Sequence, residues 1–146
     1  MSLKLTLDID LVCQNFFAEA ALIGIASALQ AHHFCWTINR YFDFTFSRDL
    51  DNEICIPSVS TGSMVYPVYK YDLPFANRSH TIYKLKDENE PLLPEIKQLD
   101  YLWLVSSISN DIEAAEIVSH LKKISGIQLA QILEPDKLHS LANLVL

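Results

Sequence analysis

The stretch YLWLVSSISNDIEAAEIVSHLKKISGIQLAQIL, Tyr101 to Leu133, decides the fold class. Tyr101-Leu102-Trp103-Leu104-Val105 is a continuous apolar run of strand length, the pattern of a strand buried on both faces. Ser109-Asn110 interrupts it, and a helix follows. Asn110 stands at the cap, Glu113 comes three residues later, and Ala114, Ile117, Val118 and Leu121 fall on one face. Lys122 and Lys123 close the helix, where cations complement its dipole. Gly126 then admits a second strand over Ile127 to Leu133. Strand, helix and strand at this spacing predict a parallel pair joined by a right-handed crossover.

Working toward the N-terminus, the middle of the chain reads as antiparallel sheet. Ile54 to Ile56 is a short apolar run stopped by Pro57, Ser58 to Ser63 is turn-like with Gly62, and Met64 to Tyr71 is rich in Val and Tyr. Thr81 to Leu85 can return against it. Pro67 donates no hydrogen bond and places its strand at an edge or bulge, and Asp72 to Ser79, with Pro74, Asn77 and Arg78, reads as an exposed loop. Further back, Phe42, Phe44 and Phe46 alternate with polar residues, a strand or an extended crossing. His32 to Tyr41 reads as a helix with Phe34, Cys35, Ile38, Tyr41 and Phe42 on one face and Asn39 and Arg40 polar. Phe16 to Leu29 reads as another helix capped by Asn15, with Ala18, Ala21, Leu22, Ile25 and Leu29 at helical spacing. Because Ile23, Ala26 and Ala28 make it apolar nearly all round, it is expected to be buried on more than one side, by its own domain or by a second subunit. Leu3 to Leu11 alternates as a half-solvated strand, and beyond Pro135-Asp136-Lys137 the ending Leu144-Val145-Leu146 offers a last one. The sum is an α+β protein, one domain over 1–146. Its sheet is mixed but mainly antiparallel, with helices packed on one face and a C-terminal strand-helix-strand unit.

Composition narrows the function classes. Of 146 residues, 50% are hydrophobic and 20% charged, enough apolar material for one real core. The net charge is −7, and the 11 basic residues form no run, so nucleic acid is an unlikely partner. Cys13, Cys35 and Cys55 cannot pair off completely and lack a CxxC spacing, so they read as reduced, packed thiols. The start Met1-Ser2-Leu3-Lys4 lacks the pattern of a secretion signal, and no apolar stretch reaches the roughly 20 residues needed to cross a bilayer. A soluble, cytoplasmic chain beginning at Met1 is expected.

No catalytic constellation stands out. The cysteines have no signalled base, there is no Gly-x-Ser-x-Gly elbow, and three glycines leave no loop to cradle a phosphate. His32 and Cys35, three apart on a helix, could supply two metal ligands while His33 points elsewhere. The set would need completion by Cys13, Cys55, His80 or another chain, and the interleaved Phe34 and Trp36 favour ordinary packing. His120 and His139 stand alone, with surface or capping roles. Tyr66, Tyr69, Tyr71 and Tyr83 could expose an aromatic face that stacks bases, though cross-strand core packing explains them equally.

The segment Leu93-Pro94-Glu95-Ile96-Lys97-Gln98-Leu99-Asp100-Tyr101 resembles the signature of the IPExxxVDY family of Bacteroidota proteins, with Leu93 and Leu99 in place of Ile and Val. Leu22-Ile23-Gly24-Ile25, Cys35-Trp36 with Asn39, and Asp136-Lys137-Leu138 with Asn143-Leu144 extend the likeness along the chain. Ala26 to His33 and the Pro74-Phe75-Ala76 loop depart from it. The resemblance implies a stand-alone bacterial protein, with gene neighbourhoods encoding ribonuclease III and pyruvate kinase, and it brings no catalytic residue. Read physically, Pro94 and Glu95 open a helical turn and Asp100 accepts loop N–H groups before the inward Tyr101. A partner surface on Glu95, Lys97 and Asp100, or acid/base work by the two carboxylates, is the functional alternative. The expectation for function is therefore a non-enzymatic interaction or accessory protein without cofactor, self-associating as a homodimer or bound to another protein. An RNA-associated factor and a small-ligand or metal-binding enzyme are the alternatives.

Overall fold

Trp103, with the four residues Tyr101, Leu102, Leu104 and Val105 around it, is shut off from solvent on both faces of a central strand, and the rest of the fold is arranged to make that possible. A computed structural model describes residues 20–58, 62–73, 78–87, 90–93 and 96–134. The strands expected over Leu3–Leu11 and Leu144–Leu146, the Asn15 cap, Cys13, Pro94, Glu95, Pro135 to Lys137 and His139 lie outside those residues.

In chain order the elements are β1 (Ala20–Ser27), α1 (Ala31–Phe42), β2 (Ser47–Arg48), a 3₁₀ turn at Leu50–Asn52, β3 (Ile54–Ser58), β4 (Gly62–Tyr66), β5 (Val68–Leu73), β6 (Arg78–Lys84), β7 (Lys86–Asp87), β8 (Glu90–Pro91), β9 (Tyr101–Ser106), α2 (Asn110–Leu121) and β10 (Ile127–Leu133). Among the described residues the main sheet has six strands in the order β10-β1-β9-β6-β5-β2, and β3-β4 and β7-β8 are separate hairpins. The protein is α+β with a mainly antiparallel sheet.

The strand-helix-strand unit is present with one change in its neighbours. β1 pairs antiparallel with both β9 and β10, so those two run in the same direction but lie on either side of β1. Every hydrogen-bonded pair among the described strands is antiparallel, where the sequence suggested an adjacent parallel pair. The strand that intervenes comes from the segment read as a helix. Ala20–Ser27 is β1, not part of a helix over Phe16–Leu29. Its residues are apolar in every direction because both faces of the sheet are covered, and a short continuous apolar run has no period to distinguish strand from helix.

Two cores result. On one face Ile23 and Ile25 of β1, Tyr101, Trp103 and Val105 of β9 and Ile82 of β6 pack against Phe34, Cys35 and Ile38 of α1 and Ala114, Ile117 and Leu121 of α2. Both helices therefore cover the same face. On the other, Leu22, Leu102, Leu104 and Tyr83 meet Ile54 and Tyr66 of the β3-β4 hairpin and the segment carrying Leu85, Leu92, Leu93, Ile96 and Leu99. Pro67 separates β4 from β5 and sends the chain from the hairpin into the main sheet. The loop expected over Asp72–Ser79 is narrower, since Asp72 and Leu73 pair with Ser79 and Arg78 in the β5-β6 ladder. α1 ends where Asp43 adopts a left-handed conformation, φ 58°, and the chain crosses back through Phe44 and Phe46 without regular structure.

Candidate functional site

A cavity of about 270 Å³ opens between α2, the end of β6 and the Phe42–Phe44 crossing. At its floor is His80, which alternation along β6 places on the helix-covered face beside Ile82. His80 is 3% exposed. The indole Nε1–H of Trp103, on the adjacent strand β9, donates to His80 Nδ1 at 3.0 Å. Burial drives the imidazole pKa down to about 4; the nearby Glu113 carboxylate opposes this and Arg78 adds to it. The ring is neutral near pH 7, and because Nδ1 accepts, its proton sits on Nε2. Nε2 meets no acceptor among the described residues and is not sealed from solvent, and the ring is part of the cavity lining.

The walls follow from the elements around it. Phe44 stacks on Tyr71 with ring centroids 4.7 Å apart and on Phe42 at 5.5 Å, forming an aromatic side. Arg78 opens β6 and pairs with Glu113 on the first turn of α2, and Glu113 also accepts from the Ser107 hydroxyl. Glu113 is thus committed to this network instead of reaching back to cap α2, whose N-cap residue is Ser109; Asn110 donates to the Ser107 carbonyl at 2.8 Å. Glu116, Ile117 and His120, further along α2, complete the rim, with His120 6.0 Å from the Phe42 ring. Apolar lining, a few convergent polar groups and a buried group with a displaced pKa together make this cavity the candidate site.

The residues of the Leu93–Tyr101 segment occupy a different place. Leu93 and Leu99 are buried in the second core, and Lys97 is exposed. Asp100 accepts the Ser27 backbone N–H at 2.8 Å, just past a bulge between Ala26 and Ser27, and its other oxygen lies 3.2 Å from Lys86 Nζ. Ser27 in turn donates its hydroxyl to the Gly126 carbonyl at 2.6 Å. Tyr101 donates its hydroxyl to the Leu29 carbonyl and stacks flat on Phe34, centroids 4.0 Å apart. These contacts fasten the end of β1, the entry to α1 and the start of β10 to one another. They leave the carboxylate of Asp100 engaged on both sides.

No family model matches the chain, and no curated protein matches it. Of the other residues marked by sequence, His32 and His33 are exposed while Cys35 is buried and its thiol pKa is pushed up to about 12 by desolvation. His32 and Cys35 therefore do not converge as a ligand pair, and among the described residues no three His, Cys, Asp or Glu side chains gather around a common point. Tyr66, Tyr69 and Tyr83 are buried and Tyr71 packs on Phe44, so these tyrosines present no platform for stacking bases. The cavity escapes the sequence because each residue has an unremarkable local reading: Arg78 in a loop, Glu113 in a cap, His120 alone, and His80 as a possible complement to His32 and Cys35. The signal that could have found them is the strand parity that puts His80 on the same face as Ile82.

Proposed function

We propose that this chain acts by association and not by catalysis: a cytoplasmic accessory protein of the IPExxxVDY type that pairs with a second copy along β10. The observation that carries the reading is the composition of that strand. Ile-Gln-Leu-Ala-Gln-Ile-Leu, Ile127–Leu133, contains no charge and no proline, and among the described residues it has a hydrogen-bonded neighbour on one side only. Leu129 and Ile132 are 42% and 49% exposed on it. Edge strands that stay single are usually short, charged or interrupted. The opposite edge, β2, follows that rule with two residues, one of them Arg48. An identical β10 laid antiparallel supplies the missing ladder without like-charge repulsion and sets a cross-strand neighbour beside Ile132 on one face and Leu129 on the other.

Among the described residues Cys35, buried, and Cys55, exposed, are free thiols, which supports a reducing compartment. Among the described residues no helix is long and apolar enough to cross a membrane. Sedimentation velocity over a range of protein concentrations tests the reading: the full chain is expected to sediment as a dimer, and the Leu129→Lys, Ile132→Lys double variant as a folded monomer. A wild-type protein that stays monomeric at every concentration removes this interface.

A second reading, that the chain binds a small ligand, is favoured by the cavity around His80.

A further inference from the structure

From the groups that face it, we infer that the His80 cavity binds a small, uncharged, planar heterocycle carrying a carbonyl acceptor beside a ring N–H donor, the class to which free pyrimidine bases belong. The inference deepens the second reading and is independent of pairing through β10, which lies three strands away from β6 in the sheet. Flatness follows from the Phe42 and Phe44 rings, which offer an aromatic surface against which a ring gains both area and stacking. The carbonyl follows from His80. A side chain 3% exposed, neutral, with Nδ1 occupied by Trp103, has one hydrogen-bonding function left, an Nε2–H donor toward the cavity.

Charge is set by bookkeeping of the remaining groups. Arg78 is held by Glu113, whose second oxygen takes the Ser107 hydroxyl, so that pair offers no net charge. Glu116 lines the same cavity and makes no ion pair with any described residue. The site thus combines a neutral donor, an aromatic wall, the His120 ring at the rim and one available carboxylate, which accepts an N–H and repels an anion. Size follows from the volume: about 270 Å³ lies just under the range of roughly 300–1,000 Å³ typical for drug-sized ligands, which suits a single ring.

The test is a titration of uracil into the full-length protein, followed by the imidazole ¹⁵N resonances of histidine-labelled protein and by thermal unfolding, with benzoate as the flat anionic control. Saturable binding is expected, with a shift at His80 Nε2 and weaker or no binding of benzoate. Glu116→Leu, on the exposed side of α2, should weaken uracil roughly five- to tenfold, the worth of one hydrogen bond. His80→Gln, which keeps an acceptor for Trp103, should do the same; if that variant fails to fold, Glu116→Leu carries the comparison. The inference is overturned by the absence of saturable binding up to the solubility of uracil, by benzoate binding the more tightly, or by an unchanged affinity in Glu116→Leu.

Discussion

His80 carries a pH dependence that can be given a sign. Burial holds its pKa at about 4 against an ordinary value of 6.5, with Glu113 pulling it up and Arg78 pushing it down. Between those values the unfolded chain takes up a proton that the folded chain refuses. Stability therefore falls as pH drops from about 6.5 toward 4 and is level in this respect above that window, by an amount on the order of 2–3 kcal/mol. Urea unfolding at pH 7 and pH 5 should show the decline, and His80→Gln should flatten it; an equal decline in the variant would assign the effect to other groups. Asp100 makes a second case at the same scale. Truncating it to Ala leaves the Ser27 N–H and the Lys86 ammonium without their acceptor, and should cost about 1–3 kcal/mol in a urea titration at pH 7. A loss below a few tenths of that would mean water replaces the carboxylate freely.

At the scale of elements, β1 depends on closeness. A Cβ on Gly24 would collide with Leu99 Cδ1 and stand 3.0 Å from Leu133 Cδ1, so a methyl group enters there only if the ends of those two buried leucines shift. Gly24→Ala should destabilise by about 1–3 kcal/mol, and adding Leu99→Ala should recover part of the loss, making the double variant more stable than the sum of the singles predicts. Simple additivity in thermal unfolding would place the strain elsewhere. The same strand marks the boundary of what sequence could tell. β9, α2 and β10 were legible because a five-residue apolar run, a helix with one apolar face and Gly126 each signal locally. β1 was not, because Ala21 to Ile25 is buried on every side and alanine and glycine dilute its strand signal. The cavity was illegible for another reason: Arg78 and Glu113 meet across 35 residues of chain, and only the fold makes them neighbours.

For the whole molecule, the two-sided covering of the sheet explains how a chain with 50% hydrophobic content buries two cores among the described residues, and why most of their large apolar side chains are used up inside. Those left outside on a strand edge, Leu129 and Ile132, are correspondingly informative. If pairing along β10 is correct, mass action makes the apparent stability rise with protein concentration, and the lysine double variant loses that dependence while keeping its monomer fold.

The polar clasp at Ser27 does a job that hydrophobic burial cannot do for β1. In a sheet with one wet face, sliding a strand by one residue turns its apolar side chains outward, and the penalty fixes the register. β1 is apolar toward both cores, so a slipped pairing with β9 would still bury Leu, Ile and Ala and would be nearly isoenergetic by area alone. The alignment must then be written in directional contacts. The Ser27 N–H to Asp100 bond, the Ser27 hydroxyl to Gly126 and the single tight fit of Gly24 against Leu99 are satisfied in one alignment and broken in its neighbours. Asp100 is in this sense a ruler for the central strand as much as an anchor, and its loss would admit misaligned chains as well as weaken the aligned one.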